Sequence, residues 1–308
     1  MRQTFKSIEQ QKQFEKYGYV IIKNFIDESE INFLKTIYSE TKEVVANKKF
    51  YISQWSDNKD LKFKINDAVQ KILLKKSQEF LIDYIPVFGV FGVKHPGEGS
   101  EMYLHGDWTH VDESKFRTVN VWSPLLDINK ENGAICLLKG SNRLFNFIRG
   151  AGIPDAFWYL GEKKLQPYLT DIYLNAGDVI MWDHCIIHGS RVNESNETRV
   201  AAVLNMRPAD STFYLYFANP MNNPKQIDVF EPPADFFLEQ DSANNPELIK
   251  KKSRFIKSMP YKKAIITKRE LSIFLSETFA NEFDKSENFN YFLDYPIILI
   301  EKLMAKFK

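Results

Sequence analysis

Between Pro86 and Phe217 the sequence carries eight short β-rich runs, at 87–93, 101–105, 118–127, 134–138, 171–174, 178–188, 198–207 and 212–217, with no helical pattern between them. Parallel strands need long crossovers, usually helices, whereas antiparallel strands can be joined by short turns. The segment is thereby restricted to an antiparallel architecture closed around its own interior, a sandwich or jelly roll. Turn signals agree. Asn132-Gly133 separates two of the runs and predicts a hairpin, and Ala176-Gly177-Asp178 predicts a further turn. The glycine loops of dinucleotide sites (GxGxxG) and of P-loops are absent.

The flanks have a different texture. Residues 8–17 are polar around Phe14 and end at Tyr17-Gly18, which predicts a helix with a glycine C-cap, followed by a short strand at Tyr19-Val20-Ile21-Ile22. Asp27 with Glu30 makes a capping-box pattern, and Ile31, Phe33, Leu34, Ile37 and Tyr38 keep helical spacing to about Val45. A second amphipathic helix is expected over 66–83 from Val69, Ile72, Leu73, Phe80 and Leu81. Beyond residue 220, Asn222-Asn223-Pro224, Pro232-Pro233 and Asn244-Asn245-Pro246 punctuate an irregular stretch. Helices are then expected at 246–258, 267–283 and 291–306, the first with Asn245 as N-cap and Pro246 at N1. The expected fold class is α+β with a predominantly β core. N-terminal helices and a β core over about 86–217 make one domain of residues 1–220. Residues 221–308 form an irregular, then helical, C-terminal extension packing on that core.

Composition narrows the partners. Hydrophobic residues at 44% and aromatics at 14% describe a folded chain, and 41 Lys+Arg against 40 Asp+Glu supply no global field for nucleic acid or an anionic membrane. Neither is an expected partner, and nothing in the sequence specifies an oligomeric state. The balance is a sum of unlike parts, because residues 249–308 carry a net charge of +6 and residues 1–248 a net charge of −5. Solvated helix faces explain such a basic tail; a site for an anionic substrate or partner is the sharper alternative. Cys136 and Cys185 sit singly in apolar runs without a CxxC, which excludes a disulfide framework and suits a reduced compartment. The first ten residues have no apolar leader segment, and no window approaches the eighteen or so apolar residues of a membrane span. A cytoplasmic location is expected.

All five histidines, His95, His105, His110, His184 and His188, fall between residues 95 and 188. His105-Gly106-Asp107 follows the alternation Met102-Tyr103-Leu104, so residues 105 and 107 share one face of a strand or its extension and can reach one metal ion. His188, after the apolar run Val179-Ile180-Met181-Trp182, is the natural third donor. Two imidazoles and one carboxylate make the facial triad of non-haem iron(II) oxygenases, with positions left for cosubstrate and oxygen. Arg199 lies eleven residues after His188, across a turn-like segment at the start of the next run, so a hairpin returns it to the same neighbourhood. A guanidinium there can hold the distal carboxylate of 2-oxoglutarate through two parallel hydrogen bonds, and Ser190 can add a hydroxyl.

These residues and their flanks resemble the phytanoyl-CoA dioxygenase family of iron(II)/2-oxoglutarate oxygenases. The resemblance runs in order over about residues 12–210, through Phe14–Val20, Leu104-His105-Gly106-Asp107-Trp108, Val119–Leu125, Glu131-Asn132-Gly133-Ala134, Lys139–Arg143, Ala176-Gly177-Asp178, Ile187–Ser190 and Arg199. It implies a double-stranded β-helix (jelly-roll, cupin-like) core, iron(II) on His105, Asp107 and His188, and 2-oxoglutarate on Arg199 and Ser190. Trp122 matches a tryptophan lining the cosubstrate pocket, and Lys94 stands where family members often place a polar 2-oxoglutarate contact. The implied reaction hydroxylates an unactivated C–H bond of a small-molecule substrate (lipid or acyl, sugar, or natural product) with oxygen, decarboxylating 2-oxoglutarate to succinate and carbon dioxide; ascorbate is the stimulating reductant. Two departures stand out: Gly106 occupies a position often held by Gln, and the family's GSH-like motif reads Gly140-Ser141-Asn142. Asp107 is retained where halogenating relatives replace the carboxylate with a small residue, so hydroxylation is favoured.

Alternatives stay open at this level. His110-Val111-Asp112 repeats the ligand spacing, but within the polar run 109–117, which reads as a loop over the site. Trp108, His110, Asp112 and Glu113 of that loop, with the tail beyond 210, are the expected walls of a substrate pocket. His184 and His188 have the spacing of two helical zinc ligands, yet the surrounding run reads as strand, which makes His184 a packed neighbour of the site. His95 reads as a loop residue. A metal-binding jelly roll without oxygenase activity, a sensor or structural homologue, is the reading from a different class.

Overall fold

The computed structural model describes residues 1–42, 48–144, 147–154, 165–218, 225–239, 246–261 and 265–283. The chain divides into two compact units, Met1–Ile265 and Ile266–Lys308. In the first, helix α1 (Ile8–Tyr17) begins where the Ser7 hydroxyl accepts the Gln10 N–H and stops at Gly18, whose φ of 83° is open to glycine at no steric cost. Helix α2 (Glu28–Thr41) starts with the expected capping box between Asp27 and Glu30. Helix α3 (Lys59–Phe80) starts seven residues before the expected position, because Asn58 caps the Leu61 N–H and a polar first half hides the stripe that buries Ile65 and Ala68.

Strand β1 (Tyr19–Ile22) and the following strands form three sheets. The largest has the order β1-β8-β5-β10-β3-β2, from β8 (Val179–Asp183), β5 (Val119–Pro124), β10 (Arg199–Pro208), β3 (Tyr84–Lys94) and β2 (Phe50–Ile52). A four-stranded sheet orders β4-β9-β6-β7, from β4 (Met102–His105), β9 (His188–Ser190), β6 (Ile135–Leu137) and β7 (Thr170–Ile172). All the named pairings are antiparallel. Strand alternation then sorts the large sheet into two faces. Val119, Val121, Met181, Ala202, Leu204 and Phe91 join the core beneath the helices, with Leu34, Val69 and Leu73. The intervening Trp122, Ile180, Trp182 and Ala201 form a second core with Ile135, Leu137 and Ile172 of the smaller sheet. The site lies in that space between the sheets.

Three expectations are corrected. The run 178–188 is two strands in different sheets, because Asp183 accepts the Cys185 N–H on its side chain and the Ile186 N–H on its carbonyl, turning the chain out of β8. Asn132-Gly133 does not close a hairpin: β5 and β6 belong to different sheets, and Gly133 (φ 79°) is needed because a Cβ there would lie 2.4 Å from Lys94 Cδ. Segment 221–265 is neither purely irregular nor helical. Its strands β12 (Gln226–Glu231) and β13 (Arg254–Pro260) form a third sheet with β11 (Leu215–Phe217) in the order β11-β12-β13, so the helix starting at Pro246 ends at Lys252 and its expected continuation is strand. This segment also belongs to the same compact unit as the β core. The second unit contains the expected helix, Lys268–Phe283, with Thr267 and Glu270 exchanging capping hydrogen bonds. Asn245 and the helix expected at 291–306 lie outside the described residues. No helix among the described residues is long and apolar enough to cross a membrane.

Candidate active site

Strands β4 and β9 pair with His105 directly opposite His188, which puts the two imidazole centroids 4.4 Å apart. Asp107 follows β4 by two residues and completes a cluster whose donor atoms all lie within 4.8 Å of one another. Its carboxylate is 3.8 Å from His105 Nε2 and 3.7 Å from His188 Nε2. Each histidine turns Nδ1 to a carbonyl, His105 to Tyr103 at 2.8 Å and His188 to Ile186 at 3.1 Å. A carbonyl only accepts, so Nδ1 carries the proton in both rings and the Nε2 lone pairs are left for a ligand. Burial pushes His188 down to about 4, which keeps it neutral near pH 7. Burial alone would raise Asp107, but His188, His184 and His105 hold its carboxyl below the ordinary range. Two imidazoles with Nε2 free and a carboxylate facing one point fit a hard-to-borderline divalent ion such as iron(II).

The carboxylate is held by a row of side chains that the sequence reading missed. Asn120 of β5 is in register with Trp182 of β8 on one side and Asn205 of β10 on the other. Asn120 Nδ2 donates to Asp107 Oδ2 at 2.6 Å and Trp182 Nε1 donates to the same oxygen at 3.0 Å. Asn205 Nδ2 then donates to Asn120 Oδ1 (3.1 Å) and to His184 Nε2 (2.8 Å), while His184 Nδ1 donates to the Trp108 carbonyl (3.0 Å). His184 is thus a buried neighbour of the site, as expected. The available signal was a lone asparagine within each of two apolar alternations, Val119-Asn120-Val121 and Leu204-Asn205-Met206.

A cavity of about 180 Å³ between the sheets is lined by His105, Asp107 and His188 and also by Trp122, Ser190 and Arg199. Arg199 is 2% exposed, donates once to the Gly133 carbonyl at 2.7 Å and lies over the Trp122 ring at 5.3 Å. Its Nε has no partner, and among the described residues no carboxylate pairs with it. Burial lowers its pKa to about 10, so it stays a cation. A buried cation without a counter-charge is costly unless an anion arrives. The cavity is therefore shaped for a molecule with a carboxylate at one end, and 2-oxoglutarate fits that chemistry. Lys94 is opposite Arg199 in the β3–β10 register, but its amino group donates to the Arg191 carbonyl at 2.5 Å and does not line this cavity.

A second cavity, about 350 Å³, reaches the same histidine and aspartate. Trp108 and His110 line it, as expected, together with Gln54, Trp55 and Phe237, which the sequence reading did not single out; Phe237 comes from the segment beyond 210. The two candidate acids of the 108–117 loop part ways. Asp112 accepts the Ser114 N–H and hydroxyl at a half-exposed turn and does not line the cavity. Glu113 points inward and pairs with Arg149. His110 is buried among His184, Phe213 and Phe237, with Nδ1 unpartnered and its pKa pushed down to about 3 by burial, so the second HxD does not assemble a metal cluster. His95 bonds Thr198 at 3.0 Å, apart from both cavities.

Residues 14–201 match the family model described as phytanoyl-CoA dioxygenase. The chain belongs to the phytanoyl-CoA dioxygenase family. It is a non-haem iron(II)/2-oxoglutarate-dependent dioxygenase with a jelly-roll core. The ectoine dioxygenase of Nocardia farcinica (strain IFM 10152) is 23% identical over 256 residues, spanning 71% of this chain and 84% of that relative. Among solved structures, HygX from Streptomyces hygroscopicus with nickel and 2-oxoglutarate bound superposes with a TM-score of 0.50 at 18% identity, over 66% of this chain and 88% of HygX. SnoK, a non-haem α-ketoglutarate-dependent carbocyclase from nogalamycin biosynthesis, gives a TM-score of 0.50 at 18% identity, over 67% and 86% of the two chains. Within this phytanoyl-CoA dioxygenase family member, the departure at Gly106 has a local cause: a Cβ there would lie 2.8 Å from Arg149 Cδ.

Proposed function

We propose that this dioxygenase hydroxylates an unactivated C–H bond of a small-molecule substrate from the lipid or acyl, sugar or natural-product classes, while 2-oxoglutarate is converted to succinate and carbon dioxide. One observation carries the reading: an unpaired buried guanidinium, Arg199, and the His105/Asp107/His188 cluster line a single cavity. Iron(II) held by those three residues would supply the redox chemistry that couples decarboxylation to C–H oxidation. Arg199 binds and orients the far carboxylate of the cosubstrate, with Ser190 beside it and Trp122 covering the guanidinium. Asn120 and Trp182 keep the Asp107 carboxylate ionised and fixed in direction. Substrate enters by the larger cavity, where Trp55, Trp108 and Phe237 exclude water from the reacting C–H. Two relatives carry small-molecule metabolism in their names, ectoine dioxygenase and SnoK of nogalamycin biosynthesis, which supports a small-molecule substrate here.

The test is succinate release from 2-oxoglutarate with iron(II) and ascorbate, first without substrate and then across metabolite classes. Slow uncoupled release that accelerates with one class is the expected result. A folded, iron-loaded protein that releases no succinate under any of these conditions refutes the proposal and leaves a metal-binding jelly roll without turnover.

A further inference from the structure

Asp107 is the one member of the cluster that lies outside a strand, since β4 ends at His105. No sheet ladder fixes its backbone, so something else must. Its carbonyl accepts Arg149 Nε at 2.6 Å, the Thr109 N–H donates to the Arg149 carbonyl at 3.0 Å, and the Arg149 N–H donates to Thr109 Oγ1 at 3.0 Å. The guanidinium is in turn fixed by Glu113, with contacts of 2.6 Å to Oε1 and 3.2 Å to Oε2. Both side chains are buried, at 7% and 8% exposure. The stem of Arg149 crosses the chain at position 106, where only a glycine leaves room.

We infer that Arg149, locked by Glu113 and admitted by Gly106, is a positioning residue that aims the Asp107 carboxylate at the metal. The inference rests on the iron-site reading of His105, Asp107 and His188. Three observations converge on it. A planar five-donor side chain holds a carbonyl and a carboxylate in one fixed fork geometry, which the rotatable ammonium of a Lys does not. Its charge is neutralised by Glu113, so it adds no counter-charge that would compete with the ion for Asp107. The same guanidinium lines the larger cavity beside Gly106 and Asp107, so the clamp forms part of the floor on which substrate sits.

The experiment uses the full chain and cobalt(II), whose visible absorption reports ligand geometry without turnover. Outer partners of metal ligands typically contribute about 10–100-fold in metal affinity. Arg149→Met is expected to weaken cobalt(II) binding by about tenfold or more and to change the absorption bands, with Arg149→Lys between it and the parent. Because Arg149→Met strands a buried Glu113 and can fail to fold, the second variant is Arg149→Met/Glu113→Leu, in which an apolar pair replaces a buried ion pair, a swap that is often neutral for stability. This double variant is expected to melt near the parent temperature and still bind cobalt(II) weakly. Gly106→Ala should weaken binding in the parent and do so much less in the double variant, where the blocking stem is flexible. A folded double variant with parental cobalt(II) affinity and spectrum overturns the inference, as does an equal Gly106→Ala penalty in both backgrounds. Failure of the parent itself to bind cobalt(II), or binding that survives His105→Ala, overturns the iron-site reading instead.

Discussion

Replacing Arg199 by Met deletes the unpaired cation of the smaller cavity while keeping a side chain of similar length. In the parent, one N–H of the guanidinium is engaged by the Gly133 carbonyl, and the remaining fork is free for a carboxylate. Hydrogen bonds to charged groups contribute roughly 1.5–3 kcal/mol each, so two of them amount to about 3–6 kcal/mol. At about 1.4 kcal/mol per factor of ten, 2-oxoglutarate affinity should fall by roughly 10²-fold to 10⁴-fold. Metal binding should change little, because Arg199 makes no contact with His105, Asp107 or His188. The ligand-free protein should not show the loss of stability usual for a core substitution. Removing a buried unpaired charge offsets the donor lost to Gly133, so the variant should melt within a few degrees of the parent. Calorimetric titration with 2-oxoglutarate, and melting curves with nickel(II) in place of iron(II), read both effects. With ligand at about 100 times its dissociation constant the parent gains about 2.7 kcal/mol, or roughly 5–10 °C for a domain of this size, and the variant gains almost nothing. A variant that binds 2-oxoglutarate as tightly as the parent would refute the role given to Arg199.

Three further outcomes are expected. His105→Ala should abolish tight iron(II) binding, whereas His110→Phe should retain it and melt no lower, since the imidazole it replaces has an unpartnered Nδ1 among Phe213 and Phe237; loss of metal in the latter would move the ligand pair to residues 110 and 112. Asn120→Ala removes the 2.6 Å bond to Asp107 Oδ2 and should lower metal affinity by about 10–100-fold in a competition titration, with helix content unchanged. Lys94 is pushed down from 10.5 to about 6, first by burial and then by the Arg199 charge. Between those two values the unfolded chain holds a proton that the folded chain lacks, so this residue makes stability rise with pH, at up to about 1.4 kcal/mol per unit. Lys94→Met should accordingly be more stable than the parent near neutrality, with the excess shrinking as pH approaches 10.5 in urea denaturation; a constant excess across that range would exclude the linkage.

Several features were legible because they are local. The capping box of Asp27 and Glu30 and the glycine at position 18 act within one turn of their helices, and the structure has both. Trp122, which the family resemblance singled out, and Arg199, which the return of the chain after His188 singled out, do line one cavity. The spacing of His105 and Asp107 needed only the period of an extended chain, and both residues do line the cavity.

Tertiary structure decided what depends on which strands are neighbours. Asn120 and Asn205 are eighty-five residues apart in sequence and become one hydrogen-bonded row because β5 and β10 pair in a particular register. The break at Asp183 that moves His188 to the smaller sheet depends on a side-chain turn, which an apolar run cannot disclose. Asp112 and Glu113 are adjacent acids of equal promise, but only Glu113 meets a buried guanidinium, supplied by a residue thirty-six positions away. Composition and periodicity say which face of an element is apolar. They carry no information about the distant group that will neutralise a buried charge, since that pairing is set by chain topology and contributes its energy only after the sheets have closed.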